Sequence, residues 1–190
     1  MNPLGQIANL VVETAFSLYI LLVWLRFLLQ LVHADFYNPI SQFVVKATSP
    51  LLHPLRRIIP ALGGMDIAAL VLIVLLYMIQ LTLLSLLAGS GSLPPVALVL
   101  ATVFGLLSLV AQFYFWLLIL SVVLSWVAQG SHSPGTILVY QLTEPLLAPC
   151  RRLLPNMGGL DLSPLIAFLG IKVFQILLLF AYQHVMAVVS

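Results

Sequence analysis

Charged residues are the scarcest feature of this sequence. Seven Lys or Arg and five Asp or Glu occur in 190 residues, or 6% of the chain, whereas hydrophobic residues make up 63%. Soluble globular domains carry about 25% charged residues. Because so few charges cannot build a water-facing surface, lipid must be the solvent for most of the chain. The composition, with a mean hydropathy of +1.20, therefore excludes a cytosolic enzyme.

Cysteine and an N-terminal basic segment are also scarce or absent. The single cysteine, Cys150, excludes an intrachain disulfide and any multi-cysteine metal site. Residues 1–10 contain no Lys or Arg, whereas a secretory signal peptide begins with a basic region. We therefore expect the first apolar stretch to be a retained membrane span.

Four apolar stretches are long enough to cross a membrane. They exceed the roughly 20 residues that a hydrocarbon core of about 30 Å requires. Backbone N–H and C=O groups in lipid must pair within their own segment, so each stretch is predicted to be a helix. The predicted spans cover about residues 7–32, 67–88, 102–127 and 164–188. Residues 96–101, which are also apolar, are predicted to form an extra interfacial turn.

The sequence repeats itself after a shift of 95 residues. TSPLLHPLRRIIPALGGMD at 48–66 aligns without a gap with TEPLLAPCRRLLPNMGGLD at 143–161, and eleven of the nineteen positions are identical. Because other positions along the chain, such as Tyr19 and Tyr114, also match at this shift, the whole chain is duplicated.

Two parallel repeats follow from this duplication, one at 1–95 and the other at 96–190. Each holds two spans, an even number, so both copies enter the membrane in the same direction. The predicted fold class is therefore an all-α membrane protein with four transmembrane helices arranged as two parallel two-helix repeats. Each repeat is also predicted to carry an interfacial amphipathic helix and a loop rich in proline and arginine.

The amphipathic helix is predicted most clearly at residues 36–49. Its apolar side chains recur at helical spacing, which suits the boundary between headgroups and hydrocarbon. These side chains are Phe36, Ile40, Phe43, Val44 and Ala47. Residues 135–144 occupy the equivalent place with a less regular pattern.

The proline-rich loop follows, with the pattern P-x-x-x-P-x-R-R-x-x-P at 50–60 and again at 145–155. Because proline fixes φ and lacks a backbone donor, we expect these segments to be stiff and extended or turning rather than helical. Asp66 and Asp161 follow the loops and are expected to cap the second and fourth spans.

Positive charge is concentrated between the two spans of each repeat. Five of the seven basic residues lie there: Lys46, Arg56, Arg57, Arg151 and Arg152. The positive-inside rule therefore predicts cytoplasmic arginine loops, with both termini and the loop at 89–95 facing outward.

The duplicated TxPLLxPxRRxxPxxGGxD pattern, preceded in its first copy by DFYNPISQFVVKATSP, resembles the YggT family, also called YlmG. The resemblance covers nearly the whole chain, and the two-copy form is similar to proteobacterial members. It implies a multi-pass protein of the inner (plasma) membrane without an established enzyme activity. It also implies the associations of that family with osmotic shock tolerance, cell-division gene neighbourhoods and, in chloroplasts, cytochrome complex maturation.

Two interpretations of the paired arginines stay open. They form a candidate site for anionic lipid headgroups or an acidic partner, or they anchor the loops and set the topology. The four residues are Arg56, Arg57, Arg151 and Arg152.

Polar residues within the spans form a second set of candidates: Arg26, Lys172, Gln80 and Gln175. Charges there cost about 2.5–3.5 kcal/mol on insertion scales and mark functional sites by default. Glu13 lies about 20 Å along the helix from Arg26 and cannot pair with it. Lys172 is expected to snorkel or to bind carbonyls and glutamines. The duplicated glutamines are predicted to hydrogen-bond between repeats.

No catalytic or nucleotide-binding motif occurs, the four histidines are scattered, and no basic stripe suits nucleic acid. The predicted function is non-enzymatic and needs no metal or cofactor. The protein is expected to bind membrane lipids, a membrane-protein partner or a second copy of itself. In this way it would support envelope integrity, osmotic stress tolerance or membrane-complex assembly. A small ion or solute channel or transporter is the alternative.

Overall fold

The computed structural model describes residues 3–35, 37–60, 64–89, 91, 93–127, 133–153 and 161–189. Within them the chain forms six α-helices: α1 (Pro3–Leu31), α2 (Pro39–Ile58), α3 (Ile67–Leu87), α4 (Pro95–Val127), α5 (Pro134–Leu153) and α6 (Ser163–Val189). Helices α1, α3, α4 and α6 are long and apolar enough to cross a membrane. The protein is a multi-pass membrane protein, and the predicted all-α class is confirmed.

The first and third spanning helices are longer than the predicted spans. Helix α1 begins at Pro3, and α4 begins at Pro95. Residues 96–101 therefore continue α4 without a break and do not form a separate turn. Both helices begin with proline, whose fixed φ suits the first helical position and whose missing N–H is not needed there.

The proline-rich segments are helical as far as Ile58 and Leu153, so the prediction of an extended or turning path is wrong for these parts. Helix α2 contains Pro50 and Pro54, and α5 contains Pro145 and Pro149. Each pair is spaced by four residues and lies on the exposed side of its helix. The carbonyls that lose their partners are thus on the outer face, where water and headgroups can replace the missing donors. Pro155 lies outside the described residues.

One compact unit comprises Met1–Leu106 and Val185–Ser190. In it α1 packs against α3 and α2, and α2 also contacts α3. The inner face of α2 buries Val44, Thr48 and Leu52, whereas Ile40 and Phe43 are exposed. An apolar outer face of this kind suits the predicted interfacial helix. Phe36, which was assigned to that helix, lies outside the described residues.

The other compact unit comprises Leu107–His184. Its core joins α4, α5 and α6 through small and branched side chains: Ala111, Leu118, Leu147, Ala167 and Ile171. Phe115 of α4 and Phe168 of α6 pack edge to face, with ring centroids 5.5 Å apart.

Gly105 of α4 permits close packing of the Tyr77 ring of α3 within the first unit. A Cβ atom at Gly105 would overlap the end of that ring, whereas a Cβ atom at Gly170 of α6 would meet nothing within 4 Å. Small residues let membrane helices approach each other closely.

The substitution Gly105→Ala is therefore expected to lower the free energy of unfolding by about 1–3 kcal/mol, because Tyr77 must leave its position. The matched change Gly170→Ala is expected to be neutral or to stabilise by up to about 1 kcal/mol, because alanine is the better helix former. Thermal unfolding of the purified variants in detergent measures both. Equal midpoints for the two variants would contradict the packing argument.

Candidate functional site

An arginine–aspartate pair joins the end of α2 to the start of α3. Arg56 donates from Nη2 to Asp66 Oδ2. The same carboxylate, on a residue that is only 3% exposed, accepts from the backbone N–H of Ala69 at 3.2 Å. Asp66 is thus the N-cap of α3, as predicted. Because one side chain both caps a span and binds Arg56, it fixes the surface helix to that span.

The second repeat contains the equivalent pair in a more exposed form. Arg151 donates from Nε to Asp161 Oδ2 at 3.1 Å and from Nη1 to both carboxylate oxygens of Glu144 at 2.8 Å. Asp161 accepts from the Ser163 backbone N–H at 2.9 Å. Hydrogen bonding from Ser163, and then from Arg151, holds the pKa of Asp161 below its usual range. Two carboxylates therefore surround this arginine.

The four loop arginines therefore differ in whether they form an ion pair within the protein. Arg56 and Arg151 form ion pairs within their own repeats. Arg57 and Arg152 are exposed, and neither forms an ion pair with any residue that the structure describes. Arg56 and Arg151 therefore join helices, whereas Arg57 and Arg152 keep exposed charges.

Arg26 is the most deeply placed cation of the first unit, with an exposed fraction of 8%. Its Nη1 donates to Val45 O at 3.0 Å, Thr48 Oγ1 at 2.8 Å and Ser49 Oγ at 3.2 Å. These acceptors all lie on α2 and all are neutral. Arg26 therefore links α1 to α2 without forming an ion pair with a described residue, and Glu13 does not pair with it, as expected.

A cavity of about 370 Å³ lies between the C-terminal end of α1 and α2. Among the described residues, eight line it: Arg26, Leu29, Gln30, His33, Ala34, Ser41, Val45 and Arg56. We call this space the Arg26 cavity. It brings together Arg26, predicted as an intramembrane candidate, and Arg56, predicted as a loop candidate.

Sequence reasoning did not assign Gln30, His33 and Ser41 to a site. The first two follow Arg26 by four and seven residues, so their helical spacing could have shown a polar face at this end of α1. Ser41 had no such signal, because its place opposite Arg26 depends on how α2 packs. Gln30 Nε2 also donates to Gly64 O at 3.0 Å, which ties α1 to the turn before α3.

The duplicated glutamines connect the two spans of their own repeats. Gln80 donates from Nε2 to Ser17 Oγ at 3.1 Å and to the Glu13 carbonyl at 3.3 Å. Gln175 donates from Nε2 to Gln112 Oε1 at 3.2 Å. The prediction that they bond between repeats is therefore wrong. Each glutamine bonds to a polar residue of the first span of its own repeat. These two partners, Ser17 and Gln112, occupy equivalent positions under the 95-residue shift.

Lys172 binds a glutamine rather than a carboxylate. Its Nζ donates to Gln175 Oε1 at 3.1 Å and lies 4.1 Å from the centroid of the Phe115 ring. The amide dipole and the ring face both stabilise a cation. The contacts join Lys172, Gln175 and Gln112 into one polar cluster between α4 and α6.

The CCB3/YggT family matches the chain twice, over residues 5–87 and again over residues 100–182. The chain belongs to the CCB3/YggT family. Each match covers one repeat with its surface helix, so the YggT unit contains both the span pair and the arginine–aspartate pair. The resemblance seen in the sequence is confirmed.

Several relatives align with the chain over most of their length. An uncharacterized protein of Pseudomonas aeruginosa is 51% identical over 180 residues, covering 94% of this chain and 91% of the relative. One encoded in the proC 3′ region of Vibrio alginolyticus is 46% identical over 167 residues, covering 86% and 89%. Escherichia coli K12 YggT is 41% identical over 182 residues, covering 92% and 88%. No solved structure matches the chain.

The two aspartates of the YggT repeats are expected to contribute differently to the free energy of unfolding. Asp66→Asn keeps an oxygen for the helix cap but removes the negative charge that pairs with Arg56, so it should cost about 1.5–3 kcal/mol of unfolding free energy. Asp161→Asn removes a half-exposed pair and should cost less than about 1 kcal/mol. Unfolding midpoints of the two purified variants provide the measurement. A larger loss for Asp161→Asn would contradict this ranking.

Proposed function

We propose that this YggT-family protein binds anionic lipid headgroups, or an acidic membrane partner, through the exposed arginines that follow its surface helices, and that it catalyses no reaction. In the inner (plasma) membrane this binding would support envelope integrity, osmotic stress tolerance or membrane-complex assembly. The observation that carries the proposal is that, in both repeats, one arginine of the adjacent pair is bound within the protein and the other is exposed. Arg56 and Arg151 fix the helix ends, and the adjacent Arg57 and Arg152 are exposed.

The surface helices support this proposal by their composition. Exposed apolar side chains of α2, such as Phe43, and of α5, such as Ile137 and Tyr140, suit insertion at the level of the headgroups. Both helices carry their arginines in the last turn. A cation placed there is attracted to anionic lipid by about 1 kcal/mol.

We also propose that the arginine-bearing helices face the cytoplasm and that both termini face outward. The concentration of positive charge between the spans of each repeat supports this orientation. Alkaline phosphatase fused after Ser190 is expected to be active, and green fluorescent protein fused there is expected to be dark. A fluorescent C-terminal fusion would contradict the orientation.

The double variant Arg57→Gln/Arg152→Gln tests the binding site. Loss of two surface charges should weaken anionic lipid binding by about 2 kcal/mol, or roughly 30-fold, with little change in stability. Arg57→Lys/Arg152→Lys keeps the charges and serves as the matched control. Phosphatidylglycerol retained by the purified protein in native mass spectrometry, and cell survival after osmotic downshock, are the two readouts.

Equal lipid retention by the glutamine and lysine variants would refute lipid binding at these arginines. Loss of survival in the glutamine variant without loss of lipid would instead favour an acidic protein partner, which crosslinking in native membranes would identify.

A small ion or solute channel is the second candidate function. The polar cluster of Lys172, Gln175 and Gln112 favours it, because three polar side chains within membrane spans are costly without a role. Flux into proteoliposomes above that of empty liposomes would support this candidate, and its absence would remove it.

A further inference from the structure

We infer that the Arg26 cavity of the first repeat binds one phosphate-like oxyanion. This goes beyond the proposed function, which rests on the exposed Arg57 and Arg152. The cavity is a separate, partly enclosed space between α1 and α2, and its volume of about 370 Å³ falls in the usual range of small-ligand sites, about 300–1,000 Å³.

The charges around the cavity are unbalanced. Arg26 and Arg56 line it, and no carboxylate among the described residues does. Asp66 neutralises Arg56, but the hydrogen-bond acceptors of Arg26 are a carbonyl and two hydroxyls. A buried cation that makes no direct ion pair is costly. An anion in the cavity would remove that cost.

Ser41 provides a second and independent observation. The residue is 4% exposed, it lines the cavity, and its Oγ has no hydrogen-bond partner. Buried hydroxyls are nearly always bonded, because an unbonded one loses its water without replacement. An oxyanion beside Arg26 would accept a hydrogen bond from this hydroxyl.

The available donors fit a tetrahedral oxyanion. Nη1 of Arg26 is held by α2, whereas its Nε and Nη2 groups make no hydrogen bond to the described residues. The planar guanidinium can therefore present two parallel N–H groups, the geometry that matches phosphate. His33 adds an imidazole at the edge of the cavity. Both a phosphomonoester lipid headgroup and soluble phosphate have this chemistry.

The second repeat lacks the same features. The 95-residue shift places Ser121 where Arg26 stands, and Ser121 Oγ donates to Leu118 O at 2.9 Å. Thr136 stands in place of Ser41, and its Oγ1 lies 2.8 Å from Ser133 Oγ. Here the hydroxyl is already bonded and the buried cation is missing. One anion per chain is therefore expected.

The test uses the purified full chain. Inorganic phosphate is titrated in uncharged detergent, and phosphatidic acid is titrated in phosphatidylcholine nanodiscs, with thermal unfolding and stoichiometry as readouts. A ligand that binds only the folded state raises the unfolding midpoint. Binding of one equivalent is expected, to phosphate if the ligand is soluble and to phosphatidic acid alone if it is a headgroup.

Ser41→Ala is the decisive variant. It removes a hydroxyl that has no partner, so folding should be unaffected, while affinity falls by about tenfold through loss of one hydrogen bond to a charged ligand. Arg26→Gln should abolish binding. Thr136→Val, which removes the equivalent hydroxyl of the second repeat, should leave affinity unchanged.

The inference is overturned if neither ligand raises the midpoint of the unmodified protein, or if Ser41→Ala binds as tightly as Thr136→Val. Arg57→Gln/Arg152→Gln should leave this binding intact. Failure of the proposed function and failure of this inference therefore give different results.

Discussion

The whole arrangement depends on a carboxylate at the beginning of the second span of each repeat. Asp66 and Asp161 each hold an arginine that lies ten residues earlier, at the end of a surface helix. Each also accepts a backbone N–H near the start of its span. A helix N-terminus has unpaired N–H donors and a partial positive charge, so it stabilises an anion even without a neighbouring arginine. Because the same carboxylate also pairs with the arginine, it connects the span to the surface helix, and we call this connection the joint.

This joint explains how a helix interrupted by prolines can keep a fixed position. Helix α2 is held at its last turn by Asp66 and at its middle by Arg26, which binds Val45, Thr48 and Ser49. Fixed at two points, the helix can expose its proline face and its apolar side chains to the membrane surface. Arg57, next to Arg56, stays exposed at the end of this helix.

The four spans, the repeat and the aspartate caps could be read from the sequence, because apolar length, self-similarity and capping are local or one-dimensional signals. The helical state of the proline segments could not, since it depends on which side of the helix faces water. Nor could the grouping of Arg26, Ser41 and Arg56, which are brought together only by the packing of α1 on α2. The glutamine bonds were assigned to the wrong neighbour because matching residues suggest a shared interface, whereas the Nε2 group of each glutamine donates to the first span of its own repeat.

The two copies have diverged around a shared aspartate–arginine pair, which bears on how the duplicated gene could evolve. Both halves keep the aspartate–arginine pair, whereas residues around it differ between them. Ser49 of the first half corresponds to Glu144 of the second, which supplies Arg151 with an additional anion. A chimaera made of two first halves would have two buried arginines that lack an ion pair, like Arg26, and one made of two second halves would have none. Duplication thus allows a membrane protein to keep two equivalent scaffolds while the residues around each of them diverge.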